Sequence, residues 1–184
     1  MTRYILRFGI LAGVIVVLPM LVMWLRVPAD GKPPGGMVES YLIMLVALSM
    51  VFVGIKQYRD RVLGGVIRFV PALLLGLGIS VVAGVLYVAG WETCMAFGKF
   101  DFSAWYASLI VESARASGAD AAAMAKANAD AAEFVRSYAN PLVRMAYTFI
   151  EIFPVGVLVS LISAALLRNS RLLPARPIST SART

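Results

Sequence analysis

The chain has 184 residues and a net charge of +7, and 60% of it is hydrophobic, against about 45–50% in soluble domains. It contains no histidine and one cysteine, Cys94. An internal disulfide, histidine-based zinc and iron sites and a Ser-His-Asp triad are therefore excluded.

The apolar residues fall into four runs: Phe8 to Leu25, Ser40 to Ile55, Phe69 to Trp91 and Met145 to Leu167. A helix rises about 1.5 Å per residue and a bilayer core is about 30 Å thick, so the runs are of membrane-crossing length, the short second one, about 24 Å, once Met37 to Glu39 are added. The fold expected is an all-α membrane protein, one domain over residues 1–184. Its spans lie at about 5–25, 38–56, 69–91 and 145–167, with a helical hairpin outside the membrane between the third and fourth.

Arg3 and Arg7 precede the first span, which contains Pro19. The run is too long for a signal-peptide core and no small-x-small site follows, so it is expected to remain as an anchor. Pro28 to Gly36 is a turn-rich linker, and Glu39 opens the second span. Lys56 to Arg68 reads as a tight basic loop with Gly64 and Gly65 at its turn. Lys56, Tyr58, Arg59, Asp60 and Arg68 are candidates for a lipid headgroup phosphate, or ordinary snorkelling anchors.

The third span carries Gly76, Ser80 and Gly84 at intervals of four, and the fourth carries Gly156, Ser160 and Ala164 in the same rhythm. Gly9 and Gly13 repeat it in the first span. Small residues so spaced let helix backbones approach closely in lipid. They predict a third span packed on the fourth, or a face for a second copy or another membrane protein.

Residues 92–140 form the insert. Phe102, Trp105, Tyr106, Leu109, Ile110 and Ser113 keep helical spacing, with Asp101 or Ser103 as cap. Ser117-Gly118 breaks the pattern, and a second helix is expected from Ala119 to Tyr138 before Asn140-Pro141. The pair reads as an amphipathic lid or, alternatively, a partner-docking arm.

In the fourth span Glu151 is the only charged residue of any apolar run. Ionisable groups at such depth point to function by default. Pro154 frees the carbonyl of Ile150, and Tyr147 and Thr148 add hydroxyls nearby. These, with Arg144 as a partner for the carboxylate, form the ligand or partner candidate, with Glu151 expected to point into the bundle. Residues 168–184 are expected to form a basic, flexible cytoplasmic tail. Ten of the 17 lysines and arginines flank the same side of the spans, so both termini are expected in the cytoplasm. The charge marks topology and contact with membrane lipids, anionic ones included, and not nucleic acid.

Gly54-Ile55-Lys56-x-Tyr58-Arg59-Asp60, then Gly64-Gly65 and Phe69, resemble the loop signature of an uncharacterised bacterial membrane family, a domain of unknown function in the 4199 series. Tyr138-x-Asn140-Pro141, Thr148-Phe149-x-Glu151-x-Phe153-Pro154-Val155-Gly156 and Leu166-Leu167-Arg168 carry the same resemblance. It implies a four-span bacterial inner-membrane protein with a helical outer insert and no assigned activity. Three functions stay open: a non-enzymatic accessory or scaffold subunit, which leads; a lipid or small-molecule carrier using Glu151 and helices broken at Pro19 and Pro154; and a membrane-embedded lipid enzyme. No catalytic residues, cofactor or metal are expected.

Overall fold

The computed structural model describes residues 1–27 and 37–174. Pro28 to Gly36 and the tail beyond residue 174, with Lys32, Arg176 and Arg183, lie outside the described residues. Those residues form six helices: α1 (Thr2–Trp24), α2 (Met37–Val62), α3 (Phe69–Phe97), α4 (Phe102–Ala116), α5 (Ala121–Tyr138) and α6 (Pro141–Leu167). α1, α2, α3 and α6 are each long and apolar enough to cross a membrane. The chain is thus an all-helical, multi-pass membrane protein.

α3 is the spine of the bundle, with α1 on one side, α6 on the other and α2 across all three. The register can be read from the glycines. A Cβ built on Gly9 would meet Val82, one on Gly13 would meet Leu86, and one on Gly78 would meet Ile5. The constant offset makes α1 and α3 parallel neighbours. Gly76 faces Ser160 and Gly156 faces Ser80, so α3 and α6 run antiparallel. The start of α1, the α2–α3 turn and the end of α6 therefore share one end of the bundle (the terminal end), and α4 and α5 stand at the other (the hairpin end).

Several helices outrun the apolar runs. α2 continues to Val62, so Lys56 to Asp60 are helical and the connection is only residues 63–68. Nothing in that segment breaks a helix before Gly64 and Gly65, whose φ of +66° and +97° are left-handed values open to glycine. The Gly65 N–H donates back to the Arg59 carbonyl at 2.9 Å and closes the turn. α3 runs past Trp91, so the first residues of the insert, Glu92 to Phe97, continue its helix. α6 starts at Pro141, where a missing N–H costs nothing, under an Asn140 cap. α5 starts at Ala121 because Asp120 caps it, accepting from Ala123 N at 2.8 Å. Asp101, not Ser103, caps α4, accepting from Ala104 N at 3.0 Å.

The broken helices expected at the prolines are absent: α1 passes through Pro19 and α6 through Pro154 without interruption. A proline deletes one backbone hydrogen bond, and tight neighbours hold the rest of the helix in line.

Candidate functional site

The seam between α3 and α6 brings buried polar side chains of the two helices together. At its centre the Ser80 hydroxyl lies 3.0 Å from the Gly76 carbonyl, 3.3 Å from the Gly156 carbonyl and 3.3 Å from the Ser160 hydroxyl. Ser160 donates to the Gly156 carbonyl at 2.7 Å. Four-residue spacing puts these side chains on one face of each helix, and glycine opposite serine leaves room for the contact. Gly84 takes the edge of the Phe149 ring, and Ala164 is fully buried. Hydroxyls that return their protons to helix carbonyls can sit in an apolar interior at little cost.

Towards the hairpin end the seam becomes more polar. Tyr87, buried on α3, donates to Glu151 Oε2 at 3.3 Å. Glu151 reaches α3 as expected, though from the edge of the seam rather than from its interior. It is exposed on the rim of the seam, leaning on Tyr87 from outside. Residues 148, 152 and 156 carry the buried stripe of α6, and position 151 falls a quarter-turn off it.

Arg144 does not reach Glu151. Its Nε and Nη2 donate to the two carboxylate oxygens of Glu92 on α3, at 2.8 and 2.5 Å. Such a two-point pair is geometrically stiff and satisfies both ions. Thr148 turns inward and donates to the Arg144 carbonyl at 2.9 Å, while Tyr147 and Pro154 face outward. The structure therefore divides the expected cluster: Glu151 with Tyr87, Arg144 with Glu92, Thr148 with its own helix. Glu92 and Tyr87 were both missed as partners, and spacing along α6 carries no signal for residues on α3.

Above this pair lies an aromatic cluster. Trp91 Nε1 donates to the Tyr138 hydroxyl at 2.7 Å. Trp24, Trp91 and Phe102 meet edge to face at 4.8 to 5.8 Å, and Tyr106, Phe134 and Tyr138 continue the contacts into the hairpin. Burial pushes the Tyr138 phenol up to about 12, so it stays neutral and can accept from Trp91. Cys94 is buried.

The signature residues at the terminal end were read as a phosphate site. Arg59 overturns that for itself, because it is fully buried. Its Nη atoms donate to the carbonyls of Leu167, Leu172 and Leu173, and its Nε to Asp60 at 2.7 Å. Leu167 ends α6 and Leu172 and Leu173 lie beyond it, where carbonyls lack helical partners, and a guanidinium satisfies several at once. Lys56 holds the other Asp60 oxygen at 2.6 Å. Tyr58 packs edge-on against Tyr4 at 5.2 Å. Arg68 precedes α3 and is exposed, as are Arg61, Arg168 and Arg171, so this end still presents free-standing cations.

Three spans packed around a fourth, glycine- and serine-lined one define the class: a multi-pass helical membrane protein. Residues 7–169 match the family described as Protein of unknown function (DUF4199), and the chain belongs to it. The two stretches carrying the resemblance meet where Arg59 holds the carbonyl of Leu167. No curated protein and no solved structure matches the chain.

Proposed function

We propose that the protein is a non-enzymatic accessory or scaffold subunit of a bacterial inner membrane, with cytoplasmic termini, which holds the α4–α5 hairpin on the outer face for a partner. The observation that carries this reading is the contrast between a tightly zipped bundle and a hairpin left largely uncovered. α4 buries no residue fully, and α5 buries only Ala127, Ala131 and Tyr138. Tyr106, Leu109 and Val135 stay partly exposed on it. Meanwhile the groups best suited to chemistry are engaged in holding helices together: Arg59 and Asp60 at one end, Glu92 and Arg144 at the other. The basic residues clustered at the terminal end support cytoplasmic termini through the charge bias of membrane insertion. A second copy of the chain is one candidate partner, and contact of the exposed cations with anionic lipids accompanies either case.

The test is native electrophoresis of mildly solubilised membranes. A complex larger than the chain is expected, and Leu109→Ser with Val135→Ser should dissolve it while leaving thermal unfolding unchanged. A chain that migrates alone, or a complex indifferent to both substitutions, would contradict the scaffold reading.

A second reading, a lipid carrier or binder, is favoured by one observation: the Glu151–Tyr87 pair lies open at the rim of the seam, where an acyl-chain neighbour could reach it.

A further inference from the structure

One register runs the length of the α3–α6 seam. Gly76 faces Ser160, Gly156 faces Ser80, and Glu92 pairs with Arg144. Each step along α3 is matched by an equal step back along α6. Continued towards the terminal end, from Gly76 to Arg68 and from Ser160 to Arg168, the same register sets two arginines level with each other. They flank the helices, Arg68 just before α3 and Arg168 just after α6.

The seam therefore has a charged level at each end, and the two differ in sign. At the hairpin end Glu92 and Arg144 neutralise each other. At the terminal end both charges are positive, both residues are exposed, and neither side chain has a partner among the described residues. Asp60 is the one acid at this end among the described residues, and its two oxygens are taken by Arg59 and Lys56. On either helix the two levels are 24 residues apart, about 36 Å, against about 30 Å for a bilayer core. Each level falls in a headgroup layer.

Packed helix axes lie about 8–10 Å apart, and glycine against serine keeps this pair close. Two like charges so placed repel, and an anion held between them turns repulsion into attraction. A guanidinium presents a fork of N–H donors that fits phosphate oxygens. In a headgroup layer the phosphate at hand belongs to a phospholipid. A zwitterionic headgroup would bring a third positive charge to the pair, so an anionic one is preferred.

We infer that Arg68 and Arg168 together hold the phosphate of one anionic phospholipid at the terminal end of the seam. The inference rests on the lipid contact proposed above, to which it gives a place and two residues, and is independent of what the hairpin docks.

The test uses the full chain in nanodiscs of equal parts phosphatidylglycerol and phosphatidylcholine, with the retained lipid read by native mass spectrometry. Arg68→Gln and Arg168→Gln are compared singly and together. A control with both Arg3→Gln and Arg7→Gln removes two exposed cations from α1 at the same end. The wild type and the control should retain phosphatidylglycerol in preference. Each single variant should lose about fivefold of that preference, the effect of one basic residue beside an anionic surface. The double variant should lose little more than either single one, because both arginines act on one phosphate. No preference in the wild type would overturn this inference and the lipid contact with it. A preference intact in both single variants, losses that multiply in the double variant, or an equal loss in the control would overturn the shared site alone. Displacement of the retained lipid by added glycerol phosphate would assign the pair to a soluble phosphate and overturn the lipid assignment.

Discussion

The two faces of α3 solve the same problem by different means. Towards α1 the seam is parallel and apolar: Gly9 and Gly13 receive Val82 and Leu86, and Gly78 and Gly90 receive Ile5 and Val17. Towards α6 the seam is antiparallel and lined with hydroxyls, then with Tyr87 and Glu92. Lipid gives helices no hydrophobic reason to associate, so shape alone holds the first seam, and shape with hydrogen bonds holds the second. Only the second places polar groups where a ligand or partner can meet them. Both seams hold the bundle, and the α6 seam alone also carries polar side chains to its rim.

The largest expected effect breaks either seam. Gly9→Leu would drive a Cβ to 2.5 Å from that of Val82 and 3.1 Å from the Ile79 carbonyl, and Gly156→Leu would do so at 2.7 Å from that of Ser80. Each should cost about 2–3 kcal/mol or more in detergent unfolding, since neither neighbour can swing away. Unchanged unfolding in both variants would remove the glycines from the packing. Gly84→Leu should cost less, because its new Cβ meets the far edge of the Phe149 ring, which can turn.

A smaller effect separates the seams. Ser80→Ala should cost about 0.6 kcal/mol, the mean for an interhelical hydrogen bond in a membrane. It should loosen α6 and leave α1 in place. Distances between spin labels on the two helix pairs would show this, and equal loosening of both pairs would erase the distinction.

The smallest expected effect on stability comes from Glu151→Gln. On the rim of the seam the amide can still accept from Tyr87, so unfolding should stay within about 0.5 kcal/mol of wild type. Complex formation or lipid retention should fall if the rim of the α6 seam is in use. A variant with both fully intact would take Glu151 out of function.

Much of this was legible in the chain. The four spans, the hairpin and the Gly/Ser rhythm of α3 and α6 follow from run length, the Asp101 cap, the Asn140-Pro141 break and four-residue spacing. What was not legible shares one cause. Arg59 reads as a surface cation because its partners are backbone carbonyls more than a hundred residues away, which leave no trace in side-chain chemistry. Arg144 reads as a partner for Glu151 because both lie on one helix, and its true partner, Glu92, belongs to another. Gly78 and Gly90 were hidden among the other glycines of α3, whose residues face two neighbours at once. Distance in sequence, rather than any unusual chemistry, set the limit.

The central claim, that the hairpin stands on the face opposite the termini, is tested most directly by two cysteines. Ser117→Cys lies at the exposed turn between α4 and α5, and Arg61→Cys lies in the exposed last turn of α2 at the terminal end; native Cys94 is buried and can stay. A membrane-impermeant thiol reagent should label position 117 in spheroplasts and position 61 only in inverted vesicles. The opposite pattern, or labelling of both positions from one side, would contradict the account.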